Sequence, residues 1–340
     1  MALNAALRIN MTGLCDDPAE EALRYQAAIE MAEYAEECGF SVVNMEEHHC
    51  AENGWLPSPL IVAAMVIART RRVQVSVTAL LATLYDPIRL AEDIAVLDLV
   101  SGGRFTFVAG LGYRPIEYHA TGKRWEDRGQ LMDECIDTLI KAWSGKPFEY
   151  RGQTVRVTPV PISRPHPIFC IGGMSGPAAK RAAKFGLPFY PPMDRPDLRS
   201  IYQDELKRLG KQGFYFSPGA GNSMLVVDED PESAWRDLAP CFLRELSEYT
   251  SWKQEGVPRP SEEDVRTVDD LKRQKRFEIL TPEQAREKYS TGGDATAVLH
   301  PLAGGVLHPL AGGVPLDRAW YQYRLFCNEV LRPLQKSAKP

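Results

Sequence analysis

The chain has 340 residues, 44% of them hydrophobic and 25% charged, with a formal net charge of −5, an ordinary balance for a globular protein with a sizeable core. No run of Lys or Arg forms a stripe that would neutralise phosphates, which argues against nucleic-acid binding, and no stretch is long and apolar enough to suggest a membrane span. The N-terminus lacks a basic region followed by an apolar run, and the seven cysteines include no Cys-x-x-Cys pair, so reduced thiols and a cytoplasmic location are expected.

Short β-branched runs alternate with longer amphipathic segments, the pattern of βα units around a parallel sheet. In chain order the expected strands are Leu7–Asn10, Ser41–Met45, Val73–Thr78, Arg104–Ala109, Ile168–Ile171, Leu187–Tyr190, Ser223–Val227 and Ala297–His300. Helices are expected near 19–37, 58–70, 87–99, 126–143, 177–185, 196–210, 231–248 and 315–331. Eight such units predict the α/β class and a (β/α)8 TIM barrel over 1–340 as a single domain. Two insertions interrupt the repeat. Residues 147–161 read as a small β-hairpin before the fifth strand, and 251–290, charged, apolar-poor and partly helical, precede the eighth; long insertions in barrels commonly serve as lids or oligomer contacts. The octapeptide Val298–Gly305 recurs at once as Val306–Gly313, either a duplication that lengthens the loop after the eighth strand or a second copy forming a surface loop without function.

In a parallel barrel the reacting groups come from the C-terminal strand ends and the loops after them. That places Glu47, His48 and His49 after the second strand, Thr78 at the end of the third, Gly110 to Arg114 after the fourth and Gly172 to Ser175 after the fifth. One imidazole facing the mouth, held by Glu46 or Glu47, suits acid–base work because histidine titrates near neutrality; the bland reading is a solvent-facing pair. Adjacent histidines on an extended chain point to opposite sides, so a shared metal ion is not expected. Gly172-Gly173-Met174-Ser175-Gly176-Pro177 joins a strand to a helix whose free amides favour a phosphate, and is otherwise an ordinary glycine-rich turn. Gly110-Leu111-Gly112-Tyr113-Arg114 carries a ring and a fixed charge suited to a cofactor's ring or phosphate tail, and Arg128 offers a second charge. Asp98 to Phe105 lies before the fourth strand, on the face that serves stability, and is read as structural.

The order and spacing of several blocks resemble the bacterial luciferase-like family of flavin-dependent monooxygenases over nearly the whole length. They are Glu47-His48-His49-Cys50-Ala51-Glu52-Asn53-Gly54, Pro87 to Asp98 with Ser101-Gly102-Gly103-Arg104-Phe105, and Asp127-Arg128 ahead of Leu131-Met132-Asp133. Further on come Ala182-Ala183-Lys184-Phe185-Gly186-Leu187-Pro188, Pro309 to Gly313, and Phe326 to Val330. The resemblance implies a barrel that binds reduced FMN, or in one branch the deazaflavin F420. It makes His48 the candidate for proton transfer at the flavin or its substrate, with His49 and Glu47 beside it. Thr78-Ala79 matches a strand end that lies against the isoalloxazine and often carries a non-proline cis peptide. Arg128 and Gly173-Met174-Ser175 match phosphate contacts. The chain departs from bacterial luciferase itself: the family's reactive cysteine is Gly110 here, the neighbouring arginine is Leu111, and the acidic residue after the fifth strand is replaced by Gly172-Gly173. Light emission is not implied.

The expected activity is oxygenation of a small organic substrate with reduced FMN and O2, with Leu80, Leu81, Trp55 and Tyr113 as pocket walls. No dinucleotide fingerprint is present, so a separate flavin reductase is expected to supply the reduced cofactor. A homodimer through the second and third helices is expected. The alternatives are an F420-dependent oxidoreductase moving a hydride, and a flavin-binding protein without turnover.

Overall fold

The computed structural model describes residues 3–13, 15–216, 223–252, 264–290 and 305–337. Its strands are β1 (Ala5–Ile9), β2 (Val42–Met45), β3 (Gln74–Leu80), β4 (Phe105–Ala109), β5 (Phe148–Tyr150), β6 (Gln153–Val155), β7 (Phe169–Gly172), β8 (Phe189–Tyr190), β9 (Met224–Val227), β10 (Phe277–Leu280) and β11 (Gly305–Leu307). The helices are α1 (Pro18–Cys38), α2 (Pro59–Arg69), α3 (Pro87–Ser101), α4 (Pro115–Ala120), α5 (Arg128–Trp143), α6 (Gly176–Phe185), α7 (Pro196–Leu209), α8 (Pro231–Ser251), α9 (Val268–Gln274), α10 (Pro282–Ser290), α11 (Leu316–Phe326) and α12 (Arg332–Ser337). Helices α1, α3, α6 and α7 each open with proline in the first turn and close on a left-handed glycine, so the chain carries its own start and stop signals.

Nine strands pair in the order β10-β9-β11-β1-β2-β3-β4-β7-β8, with every ladder parallel, and a bridge from Phe189 to Tyr215 continues the sheet past β8. With helices between successive strands this is the (β/α)8 barrel architecture. Side chains alternate across a strand, and the register uses that alternation. Leu7, Val43, Val75 and Phe105 lie opposite one another and are buried. Arg8, Asn44, Ser76 and Thr106 form the adjacent row. The Arg8 guanidinium reaches Met224 Sδ on β9 at 2.7 Å, so this second row lines the barrel interior. Because all nine strands of this sheet run the same way, the ends of β2, β3, β4 and β7 converge on one mouth.

The insertion before β7 is the expected hairpin, β5 against β6. The insertion before the last strand is more ordered than its composition suggests: it contains α9, α10 and the strand β10, which pairs in parallel with β9 and buries Phe277 and Ile279. The expected eighth strand, Ala297–His300, lies outside the described residues. The strand that pairs with β1 is β11, which begins at Gly305, the last residue of the first copy of the octapeptide, and runs into the second, where Val306, Leu307, His308, Leu310 and Ala311 are buried. This corrects the surface-loop reading of that copy. Asp98 accepts hydrogen bonds from the Ile162 and Ser163 amides at 2.7 and 2.9 Å, and Arg104 donates to the Val73 carbonyl at 2.7 Å; both are structural, as expected. No described helix is long and apolar enough to cross a membrane.

Candidate active site

β2 ends at Met45, and the next four residues turn outward at the mouth, each toward a different partner. Glu46 grips Arg8 in a two-pronged ion pair at 2.7 and 2.7 Å. Glu47 is buried; it accepts from the Leu81 amide at 2.6 Å and from the Tyr85 hydroxyl at 2.5 Å, and its Oε1 lies 3.0 Å from His49 Nε2. That bond raises the His49 pKa above its ordinary value, against the opposing effect of burial. Burial, and then the same carboxylate, raises the Tyr85 phenol above its ordinary value.

His48 is only 6% exposed. Its Nδ1 lies 2.9 Å from Glu117 Oε1, and its Nε2 lies 3.0 Å from the Tyr113 hydroxyl. The sequence points to one imidazole held by Glu46 or Glu47; Glu47 holds His49 in this way, whereas His48 is held by Glu117. Glu46 is neutralised by Arg8 and Glu47 serves the neighbouring ring, so neither is available to His48. The two imidazoles thus face separate carboxylates, and among the described residues no group of His, Cys, Asp and Glu is arranged to hold a metal ion.

Glu117 comes from the first turn of α4, is fully buried, and also accepts from the His49 amide at 3.1 Å. Arg114 was expected to face a cofactor. It is buried and donates instead to the carbonyls of His49 at 2.5 Å and Cys50 at 3.1 Å, with Glu117 3.5 Å away, clamping the loop that carries the histidines. Four rings surround His48: Trp252 at 4.7 Å, Trp55 at 5.0 Å, Tyr113 at 5.2 Å and Tyr249 at 6.4 Å between centroids. Trp252 also lies 3.9 Å beneath the Arg114 guanidinium. Tyr249 and Trp252 arrive from the end of α8, on the same face as Glu245. Fully buried, Glu245 contacts Arg8 at 3.3 Å, Asn10 at 3.2 Å, Thr12 at 3.0 Å and His308 Nε2 at 3.0 Å. Burial alone would raise its pKa, but His308 and Arg8 outweigh burial and hold the carboxyl at about 2.

At the end of β3, the strand next to the one that carries the histidines, the peptide Thr78–Ala79 is cis, as the resemblance implied. Ala79 packs with Val108, Cys170, Tyr190 and Phe216 in an apolar cluster. Gly110 and Gly172 keep this surface flat: a Cβ on Gly110 would come within 2.9 Å of the Ala79 side chain, and one on Gly172 within 2.9 Å of Val108. A flat apolar bed beside polar groups at the strand ends fits a planar ring. At its rim, Gly173 has φ +150 and leads through Met174 to Ser175, whose side chain makes no capping bond at the start of α6. Arg128 begins α5, stacked 4.1 Å over Trp125. Arg181 of α6 donates to the Gly129 carbonyl at 3.1 Å, which draws the first turn of α5 alongside α6. Gly112 (φ +73) lets its loop pass close to Glu117 and Leu81. Leu80, Leu81 and Trp55 are buried; Leu81 packs with Leu84 and Tyr118 away from the histidines.

Two carboxylate-bound histidines and a glycine-lined apolar surface thus share the C-terminal mouth of a parallel α/β barrel. The comparisons make the family specific. Residues 11–297 match the family model described as luciferase-like monooxygenase, and the chain belongs to that family. It is 29% identical over 166 residues to the alkanal monooxygenase alpha chain of Photorhabdus luminescens, a match covering 47% of this chain and 46% of the relative, so the matched segment spans about half the length of that relative. Among solved structures it superposes on the monooxygenase RslO1 from Streptomyces bottropensis with TM-score 0.70 and 21% identity, covering 97% and 99% of the two chains. The oxygenating constituent of 3,6-diketocamphane monooxygenase of Pseudomonas putida, solved with FMN, gives TM-score 0.66 and 18% identity over 98% and 98%. An F420-dependent secondary alcohol dehydrogenase gives 0.65 and 16% over 98% and 99%.

Proposed function

We propose that the protein is the oxygenase of a two-component system that uses reduced FMN and O2 to oxygenate a small organic substrate, the flavin being reduced by a separate reductase. The observation that supports this reading best is the placement of His48, bound to Glu117 and Tyr113, at the end of β2 beside the Thr78–Ala79 end of the neighbouring β3. The bed of Ala79, Val108 and Cys170, with Gly110 and Gly172, would hold the ring; Gly173, Met174, Ser175 and Arg128 would hold the phosphate end, where a helix start and a fixed cation favour an anion. Bound there, the reduced flavin would supply two electrons and the site at which O2 reacts.

The chain's own groups do the rest. Glu117 fixes the His48 tautomer and ring orientation, Arg114 fixes the loop beneath it, and His48 holds the proton to be moved. Trp55, Tyr249 and Trp252 exclude water from that proton, so that it is delivered to the reacting molecule rather than to solvent. Glu47 ties His49 to the β3 end through Leu81 and Tyr85, keeping the two histidines in register with the bed. The protein is proposed to act as a homodimer through α2 and α3.

The likeness to an F420-dependent structure favours one second reading, hydride transfer with the deazaflavin on the same bed. Equilibrium binding of FMN and F420 in their reduced forms, followed by oxygen-electrode traces, separates the two. Micromolar or tighter binding of reduced FMN with oxygen uptake is expected; binding of F420 with no measurable affinity for FMN would sink the monooxygenase reading.

A further inference from the structure

Neither ring nitrogen of His48 is open to a ligand. Nδ1 is taken by Glu117 at 2.9 Å and Nε2 by the Tyr113 hydroxyl at 3.0 Å. The ring itself is enclosed, with Trp252 at 4.7 Å, Trp55 at 5.0 Å and Tyr249 at 6.4 Å. A molecule in the mouth therefore does not meet the imidazole. Tyr113, on the loop that follows β4 between Gly112 and Arg114, is half-buried where His48 is buried, so it is the member of the pair with surface left open.

We propose that Tyr113 is the terminal proton donor of a Glu117–His48–Tyr113 relay, and that its phenol rather than the imidazole is the group that touches the reacting molecule. This rests on the acid–base role given to the site above. The phenol proton passes to the basic atom of the reacting molecule. His48 Nε2 returns a proton to the phenol oxygen, and the imidazolium becomes neutral imidazole with Nδ1–H still donated to Glu117. One proton leaves the relay and one positive charge disappears from it, so the step balances. Three features of the chain fit. The Glu117 carboxylate stands where it stabilises the imidazolium before transfer. Burial, then the nearby Tyr249 and Glu117, keep the Tyr113 phenol well above its ordinary pKa, so between transfers it stays protonated. Gly112, at φ +73, gives the loop the turn that aims the Tyr113 ring at His48.

Two readouts test the relay. In the unloaded protein, labelled with 15N at histidine, His48 is expected as the imidazolium that the relay starts from, Nδ1–H bonded to Glu117 and Nε2–H bonded to the Tyr113 oxygen. Tyr113→Phe is expected to shift the Nε2 resonance to that of a nitrogen without a hydrogen-bond partner and to leave Nδ1 unchanged. With reduced FMN and O2 as the probe, rapid-mixing rates of flavin reoxidation are expected to fall about 100-fold in Tyr113→Phe, the scale of a lost general acid, with FMN affinity unchanged within about threefold. His48→Gln in the Tyr113→Phe background is expected to add little, because members of one relay are not additive. A Tyr113→Phe protein that reoxidises FMN at the wild-type rate while His48→Gln is slow would overturn the relay and make Tyr113 a cover over the imidazole. An unchanged Nε2 resonance would overturn it too. Wild-type protein that shows no reaction with reduced FMN at all would instead bring down the proposed function, and the relay with it.

Discussion

Glu245 is a carboxylate with no exposed surface, and its value lies in how completely it is partnered. Arg8, Asn10, Thr12 and His308 converge on it from β1, the turn after β1 and the end of β11. Removing one member of such a set leaves the others buried without a counter-charge. Glu245→Gln is expected to lower unfolding stability by about 3–5 kcal/mol, read from urea midpoints at constant slope. Its folded-state pKa of about 2 lies below the ordinary 4.5, so its contribution is fully present above about pH 4.5 and is lost as pH falls toward 2; the variant should show a flatter acid limb. His49 has the opposite sign. Its pKa is raised above 6.5, first by the bond to Glu47, so its contribution is fully present below pH 6.5 and is lost as pH rises through the raised value. Melting temperatures from pH 5.5 to 9 should fall less in His49→Asn than in wild type. A steeper fall in the variant would contradict the assignment.

At the scale of elements, what the sequence revealed and what it hid follow from distance along the chain. The histidines could be placed because strand periodicity ends at Met45 and the next residues must turn out at the mouth. Glu117 lies 69 residues from His48 and Glu245 lies 235 from Asn10; no local pattern couples such pairs, so neither entered the expected site. Trp252 lies past the end of the helix expected over 231–248, inside the 251–290 insertion, where no local pattern ties it to the mouth. β10 is four residues, Phe-Glu-Ile-Leu, inside a charged segment, too short for its alternation to stand out. The last strand was missed for a different reason: Val298–Gly305 and Val306–Gly313 are identical, so local preference cannot choose between them, and only tertiary contacts do. Those contacts are tight. A Cβ on Gly312, where φ is +55, would stand 1.8 Å from the Cys241 carbonyl of α8, whereas Gly102, at φ +67, has nothing within 4 Å. Gly102→Ala is therefore expected to cost about 1 kcal/mol from backbone strain alone, and Gly312→Ala several times more, because α8 and the turn after β11 must separate. Comparable losses for the two would mean that this turn does not seat α8.

At the scale of the whole molecule, the barrel accounts for its inner surface but leaves part of its outer surface unexplained. On α2, Ile61 and Met65 are 58% and 49% exposed, and on the adjoining α3, Val96, Leu99 and Val100 are 47%, 41% and 67% exposed. The spacings of four on α2 and of three and four on α3 put each set on one helical face. The two helices are neighbours in the fold, so five exposed apolar side chains are grouped on one side of the barrel, the pattern that marks a contact surface more often than scattered exposure does. A second copy of the chain is the occupant that matches it without invoking any other protein, since a twofold axis lets one apolar patch cover itself. The partner barrel would then sit beside β2 and β3, the strands that carry His48 and the Thr78–Ala79 bed, and bracing α2 and α3 would brace the site. Ile61→Lys combined with Val100→Lys buries a charge on each side of that axis. The double variant is expected to sediment as a monomer with unchanged circular dichroism, and the wild type as a dimer at micromolar concentration. If the variant remains a dimer, or the wild type is already a monomer, the patch does not join two copies. If dissociation leaves FMN affinity untouched, the site needs no support from the partner.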